Sequence, residues 1–368
     1  MTKTVAIDAR WLVGGIGAYT EKLLLGLGKG TNDVEFHAIT RQADATRVKE
    51  MCSGVTIVDV PIYTVMEQVL IPRAARQCDL LHVPHFNIPL LHRRPLVVSI
   101  MDVIHLRSAK YRNSLSSYLY AWPMLSAAAR RADHIVTVSN YSKTQIMEAL
   151  GVAESKISVI HCGVGAQFRR DVAEQGSRSA AEALGIRRPY LLYVGNLKPH
   201  KNVVTLLRAF AHLRSDGKIP HTLLIVGDDT RWKQAVVEEC ERLGIRDSTV
   251  LTPFVSAEIF PKIYAGADLL VMPSTIEGFG LPVLEAMACG TPVLCSNAAS
   301  LPEVAGDAAL YFDPASHEEL ASQILRLLQS TDLRESLRNL GLERAKKFSW
   351  QESNRKHMEI YSQLLGMN

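Results

Sequence analysis

The chain has 368 residues, 47% of them hydrophobic and 21% charged; it is too long for one ordinary core and too apolar to stay disordered, which suits two α/β domains. A formal net charge of +4 is too small to argue for nucleic acid, and no uninterrupted apolar run nears the roughly 20 residues of a membrane helix. Six cysteines (Cys52, Cys78, Cys162, Cys240, Cys289 and Cys295) include no C-x-x-C pair, so they read as reduced, buried thiols of a cytoplasmic protein, not a disulfide or zinc framework.

Thr4 to Asp8 predicts a short buried strand, which leaves no room for a signal peptide. Gly14, Gly15 and Gly17 follow, then a helix over 18–27. From Gly15 the pattern is G-I-G-A-Y-T, which lacks the last glycine of a dinucleotide-binding turn and argues against a nicotinamide dehydrogenase. Strands are expected over 35–40, 55–60, 79–83 and 96–100, with a helix around 67–77. His82 and His85 sit where the strand over 79–83 ends; no third ligand lies near, so they read as acceptor-side residues and not a metal site. Asp102 and His105 follow the next strand. Between 93 and 143 there are eight basic residues against two acids, with Tyr111, Leu115, Tyr118, Leu119 and Trp122 at helical spacing. That stripe fits a core-facing helix with a basic edge, or a surface leaning on anionic lipid. Strands over 134–139 and 157–160 close the first half, and a polar stretch near 161–179 reads as a linker.

The second half restarts at Arg188. A strand over 189–194 leads into G-N-L-K-P-H-K-N (195–202) and a helix from Val203. Lys198 and Lys201, in a glycine-led loop after a strand, are well placed to hold a diphosphate, although a solvated lysine pair has the same pattern. Further strands are expected over 222–226 and 250–254, and a helix over 256–265. The apolar run Leu269–Met272 then enters a loop containing Gly278 and Gly280. Pro282 suits the first turn of a helix that Gly290 stops, and Thr291–Ser296 reads as the next strand. Backbone N–H groups at such a helix start attract phosphate. Spacing alone also fits an ordinary βαβ unit with Glu277 a solvated loop residue and Glu285 on an exposed helix face.

The run E-G-F-G-L-P-V-L-E-A-M-A-C-G-T-P-V (277–293) resembles the nucleotide-sugar signature of the retaining GT-B glycosyltransferases of family four. The resemblance covers essentially the whole chain and is densest over 190–314. It implies a GT-B fold: two doubly wound Rossmann-like domains facing a cleft, an acceptor-side domain over 1–172 and a nucleotide-sugar domain over 173–349. A closing helix over 350–368 would pack back on the first.

By the same resemblance Glu277 holds the transferring sugar, Lys201 stabilises the departing diphosphate, and His105 orients the sugar from the first domain. Glu285 would hold ribose hydroxyls. The amides of Phe279, Gly280 and Leu281, the loop residues Asn196 and Lys198, Val255 near the base, and Gly15 and Gly17 complete the expected donor contacts. Asn196 departs from the arginine many relatives carry after this glycine. Cys162 and Gly165 depart from the family's usual linker residues.

The resemblance implies a retaining hexosyltransferase acting by front-face displacement with no metal or other cofactor. The donor is a nucleotide sugar and the acceptor a glycan or polyprenyl-diphosphate-linked oligosaccharide. Y-V-G-N-L-K-P-H-K-N and S-L-P-E-V-A-G-D-A-A-L are most similar to bacterial mannosyltransferases of O-antigen and exopolysaccharide assembly, which makes GDP-mannose the expected donor, ahead of UDP-sugars. The implied setting is cytoplasmic, with a peripheral contact at the inner membrane face. A GT-B nucleotide-sugar epimerase and a catalytically silent binding homologue are the competing classes.

Overall fold

A computed structural model describes residues 2–31, 33–107, 115–174, 177–227, 229–252 and 255–367. The chain forms two compact units, Met1–Gly163 with Ser349–Asn368, and Val164–Phe348. The division falls at Gly163 and not at 172, because the segment beyond it is anchored in the second unit. There the ring of Phe168 meets Phe260 and Tyr264 edge-on.

The first unit is built on strands β1 (Lys3–Asp8), β2 (Val34–Thr40), β3 (Gly54–Ile57), β4 (Leu80–Val83), β5 (Leu96–Ser99), β6 (His134–Thr137) and β7 (Ile157–Val159). They form one parallel sheet in the order β3-β2-β1-β4-β5-β6-β7. The second unit uses β8 (Tyr190–Val194), β9 (Thr222–Val226), β10 (Thr249–Thr252), β11 (Leu269–Met272), β12 (Val293–Ser296) and β13 (Ala309–Phe312). Its sheet is also parallel, in the order β10-β9-β8-β11-β12-β13. Helices on both faces explain why β8, β9 and β11 are almost wholly apolar and buried at every position. The helix Val203–Ser215 sends Leu206, Leu207, Phe210 and Leu213 into that core.

Three elements differ from the sequence expectation. The first helix starts at Gly14, so the glycines belong to its first turn. The helix expected over 256–265 begins only at Phe260, with Pro261 in its first turn, where a missing N–H costs no bond. On the helix Leu115–Arg131 the core face is Ala121, Leu125, Ala128 and Ala129, while Leu119 and Trp122 are exposed. The core-facing reading of the stripe therefore fails at those two positions, which face outward; Tyr111 and the side chains of Leu115 and Tyr118 lie outside the described residues.

The closing helix, Trp350–Leu364, belongs to the first unit and opens on a Ser349 cap that accepts the Glu352 N–H at 3.1 Å. A buried polar ladder joins it to the sheet. His357 Nδ1 donates to the Ser353 carbonyl at 2.7 Å, so its Nε2 accepts from Tyr19, 2.7 Å away. Tyr19 meets Ser99 at 3.0 Å, Ser99 meets His82 Nε2 at 2.8 Å, and His82 Nδ1 meets Tyr361 at 2.6 Å. One proton arrangement satisfies the whole ladder with both imidazoles neutral. Burial holds His82 well below the ordinary histidine range and His357 down at about 4.

Candidate active site

In the second sheet the chain leaves β8 towards β9 and returns at β11 on the other side of β8. Neighbouring loops diverge at such a switch point and leave a crevice at the strands' carboxyl ends, where α/β sheets bind ligands. The loops after β8 and β11 carry the residues singled out from the sequence.

Lys201 ends a 3-10 turn, Pro199–Lys201, and its Nζ donates to both carboxylate oxygens of Glu277 at 2.7 Å. The side chains are 16% and 8% exposed, so this is neither a solvated loop glutamate nor a free lysine. Ser274 also donates to Glu277 Oε1 at 2.7 Å. The two loops are locked together behind the pair. Thr275 donates its N–H (2.8 Å) and hydroxyl (3.1 Å) to the His200 carbonyl. Asn202, in left-handed conformation, donates to the carbonyls of Pro273 and Pro314, each at 2.9 Å.

The backbone of the second loop is aimed by Ser300, whose hydroxyl lies 3.0 Å from the Glu277 carbonyl and 2.8 Å from that of Phe279. Peptides are planar and trans, so the N–H groups of Gly278 and Gly280 point away from Ser300. Gly280 precedes the helix Leu281–Ala288 with φ +113°, and a Cβ there would come 2.8 Å from Leu301 Cδ2. Only glycine suits this position. Glu285, one turn into the helix, accepts from the buried Tyr264 hydroxyl at 2.7 Å. Burial, followed by the Glu285 charge, raises that phenol well above its usual range, so it stays a donor.

Asn196 acts locally: its side-chain oxygen accepts the Lys198 N–H at 3.2 Å, and its carbonyl accepts from the buried Tyr193 at 2.7 Å. Lys201, Glu277, Asn196, Lys198, Phe279 and Gly280 thus share the carboxyl-end loops of β8 and β11, and Leu281 and Glu285 stand on the helix that follows the second loop. Val255 is buried just past β10, two strands from β8. Gly15 and Gly17 belong to the first unit, where a Cβ on Gly17 would meet the Leu12 backbone at 2.2 Å. His105 is on the short helix Ile104–Arg107; its side chain is outside the described residues. His82 is a core residue of the ladder above, whereas His85 lies in the loop after β4. Ser274, Ser300, Tyr264 and Asn202 had no signal in the sequence beyond residue type; each is identified by its partner. Among the described residues no cluster of three or more His, Cys, Asp or Glu is arranged to hold a metal.

Two family descriptions divide the chain between them: Glycosyltransferase Family 4 matches residues 13–168 and Glycosyl transferases group 1 matches residues 178–344. The O-antigen chain mannosyltransferase B of Escherichia coli is 32% identical over 291 residues, covering 77% of this chain and 74% of that protein. The chain belongs to the family 4, group 1 glycosyltransferases. This glycosyltransferase is also 29% identical to the O-antigen chain mannosyltransferase RfbU of Salmonella typhimurium, over 67% of its own length and 64% of the relative. Among solved structures, Anabaena HepE in complex with UDP-glucose superimposes with a TM-score of 0.79 at 20% identity, covering 98% of this chain and 99% of that one. Its two parallel α/β units are those of the GT-B fold, and its activity is glycosyl transfer.

Proposed function

We propose that this glycosyltransferase moves mannose from GDP-mannose to a hydroxyl of a glycan or polyprenyl-diphosphate-linked oligosaccharide, with retention, in cell-surface polysaccharide assembly. The observation that carries the reading is the Lys201–Glu277 pair, 2.7 Å apart at the β8/β11 switch point. A cation held by a single carboxylate, beside a helix start, suits a departing diphosphate. Mannose is supported by the O-antigen mannosyltransferases among its relatives.

In this reading the C1–O bond to the diphosphate breaks as the acceptor oxygen bonds C1 on the same face, and the acceptor proton passes to the leaving diphosphate oxygen. Both Glu277 oxygens are occupied by Lys201, and one by Ser274 as well. Such a carboxylate is a poor nucleophile and a good positioning group, which favours front-face displacement over a covalent intermediate. Lys201 and the loop amides take the charge-stabilising role of a metal, so no cofactor is expected. A cytoplasmic enzyme in peripheral membrane contact fits Leu119 and Trp122, exposed on a helix ending in Arg130 and Arg131.

The test offers GDP-mannose, UDP-glucose, UDP-galactose and dTDP-glucose with an oligosaccharide acceptor, with and without EDTA, and reads products by mass. One added hexose from GDP-mannose, unaffected by EDTA, is expected. Transfer only from a UDP-sugar would overturn the donor assignment. Free sugar and UDP without transfer would replace the reading with an epimerase.

A further inference from the structure

The first sheet ends at β7, which pairs with β6 on one side only. Side chains alternate along this edge strand. Ile157 joins the core cluster that holds Ile135 and Ile146, so the helix Asn140–Leu150 covers that face. Ser158 stands on the other face, where it meets His134 at 2.8 Å and where the closing helix packs through Tyr361 on His82. The backbone alternates in the plane of the sheet. The Ile160 N–H donates to the Thr137 carbonyl of β6 at 2.8 Å, so the N–H and carbonyl of Val159 and the carbonyl of Ile157 point outward. The Ile157 N–H is taken by the Glu154 carbonyl. Among the described residues the outward groups of Val159 and the Ile157 carbonyl have no hydrogen-bond partner.

A groove of about 480 Å³ lies along this edge. Its floor is the whole run of residues 157–160, with Lys143 in one wall and Lys356 and Glu359 in the other. Proteins commonly cover or blunt such an edge, because its free backbone groups template pairing with another chain. Here those groups face open space between two helices. A second β7 fits this space poorly, since each copy would be recessed between its own helices. A single extended peptide is narrow enough to enter; it bonds through its backbone and turns alternate side chains to the two walls.

The walls differ in charge. On the Lys143 side the first helical turn carries no acid, and a helix start favours negative charge. Lys143 meets Glu154 at 3.1 Å, but that glutamate side chain is 73% exposed, and such a pair yields readily to a better-placed carboxylate. In the opposite wall Lys356 and Glu359 offset each other, and Glu359 is also held by Arg355. We propose that the β7 edge is a docking groove for an extended acidic segment of a partner protein. The segment pairs with Val159 and the Ile157 carbonyl, presents a carboxylate to Lys143, and adds a strand to the first sheet. This interaction is independent of the donor and acceptor assignments above.

The test uses hexapeptides of alternating Val and Thr with Asp, Asn or Lys placed at each position in turn. Their binding to the full chain is read by fluorescence anisotropy. Asp peptides are expected to bind best and Lys peptides worst. N-methylation of the best peptide at alternate amides, on its pairing edge, should weaken it by about tenfold or more. Val159→Pro removes one outward donor, a change an edge strand tolerates, and should weaken binding by about tenfold with the melting temperature kept. Lys143→Gln should erase the preference for Asp over Asn, and the bound peptide should slow hydrogen exchange at the Val159 amide. The proposal is overturned if no peptide binds, if the N-methylated peptide binds as well as its parent, or if Val159→Pro binds as tightly as the wild type. Dimers of the chain that Val159→Pro abolishes would give the edge to a second copy and overturn it equally.

Discussion

The two switch points share a topology and differ in charge. At β8/β11 one lysine faces one carboxylate, and the lysine side chain keeps 16% of its surface in contact with solvent. At β1/β4 one arginine is enclosed by two carboxylates, all three side chains 7% exposed or less. The first arrangement leaves a cation that can turn towards an incoming anion. The second is electrostatically closed, the Arg10 guanidinium already enclosed by the Asp8 and Glu67 carboxylates. One parallel-sheet design thus yields two crevices of different electrostatics, according to how many acids surround the cation.

The largest expected effect would separate the two cations. Arg10→Met strands two buried carboxylates and should cost roughly 3–5 kcal/mol, whereas Lys201→Met leaves Glu277 with its Ser274 donor and should cost roughly 1–3 kcal/mol. Denaturant unfolding with hydrogen exchange would assign each loss to its unit; equal losses would erase the distinction between a closed and an open pair.

A smaller effect concerns acid. In the unfolded chain each histidine takes a proton near pH 6.5, while folded His357 resists to about 4 and His82 is held well below 6.5. Stability should therefore be intact above pH 6.5 and fall as the pH drops towards 4, by up to roughly 3 kcal/mol through His357. The closing helix Trp350–Leu364 should lose exchange protection at pH 4.5 before β8 and β11 do. Unchanged protection in that helix would show that the ladder does not anchor it.

The same contrast explains what was legible in the sequence. Strands buried on both faces must be continuous apolar runs, so T-L-L-I-V and L-L-V-M announce themselves. Glu277 and Lys201 stand in short contiguous motifs of two loops. The first unit's network joins Arg10 to Glu67, Glu67 to Asn87 and Asn87 to Tyr120, and no local pattern marks pairs so distant in the chain. His82 and His85 looked alike three residues apart, yet one is the penultimate residue of a fully buried strand and the other is past its end. On the helix Leu115–Arg131, Leu119 and Trp122 are exposed while Ala121, Leu125, Ala128 and Ala129 are buried, a choice of face that spacing alone left open.

The most direct measurement is the transfer rate of Lys201→Ala with GDP-mannose and the same oligosaccharide acceptor. On the function proposed above, which makes Lys201 a charge stabiliser of the leaving group, a kcat about 10²- to 10³-fold below wild type is predicted, with the acceptor KM little changed. A kcat within about threefold of wild type, less than 1 kcal/mol of barrier, would contradict the account: the Lys201–Glu277 pair would then be a structural tie between two loops and the chemistry would lie elsewhere.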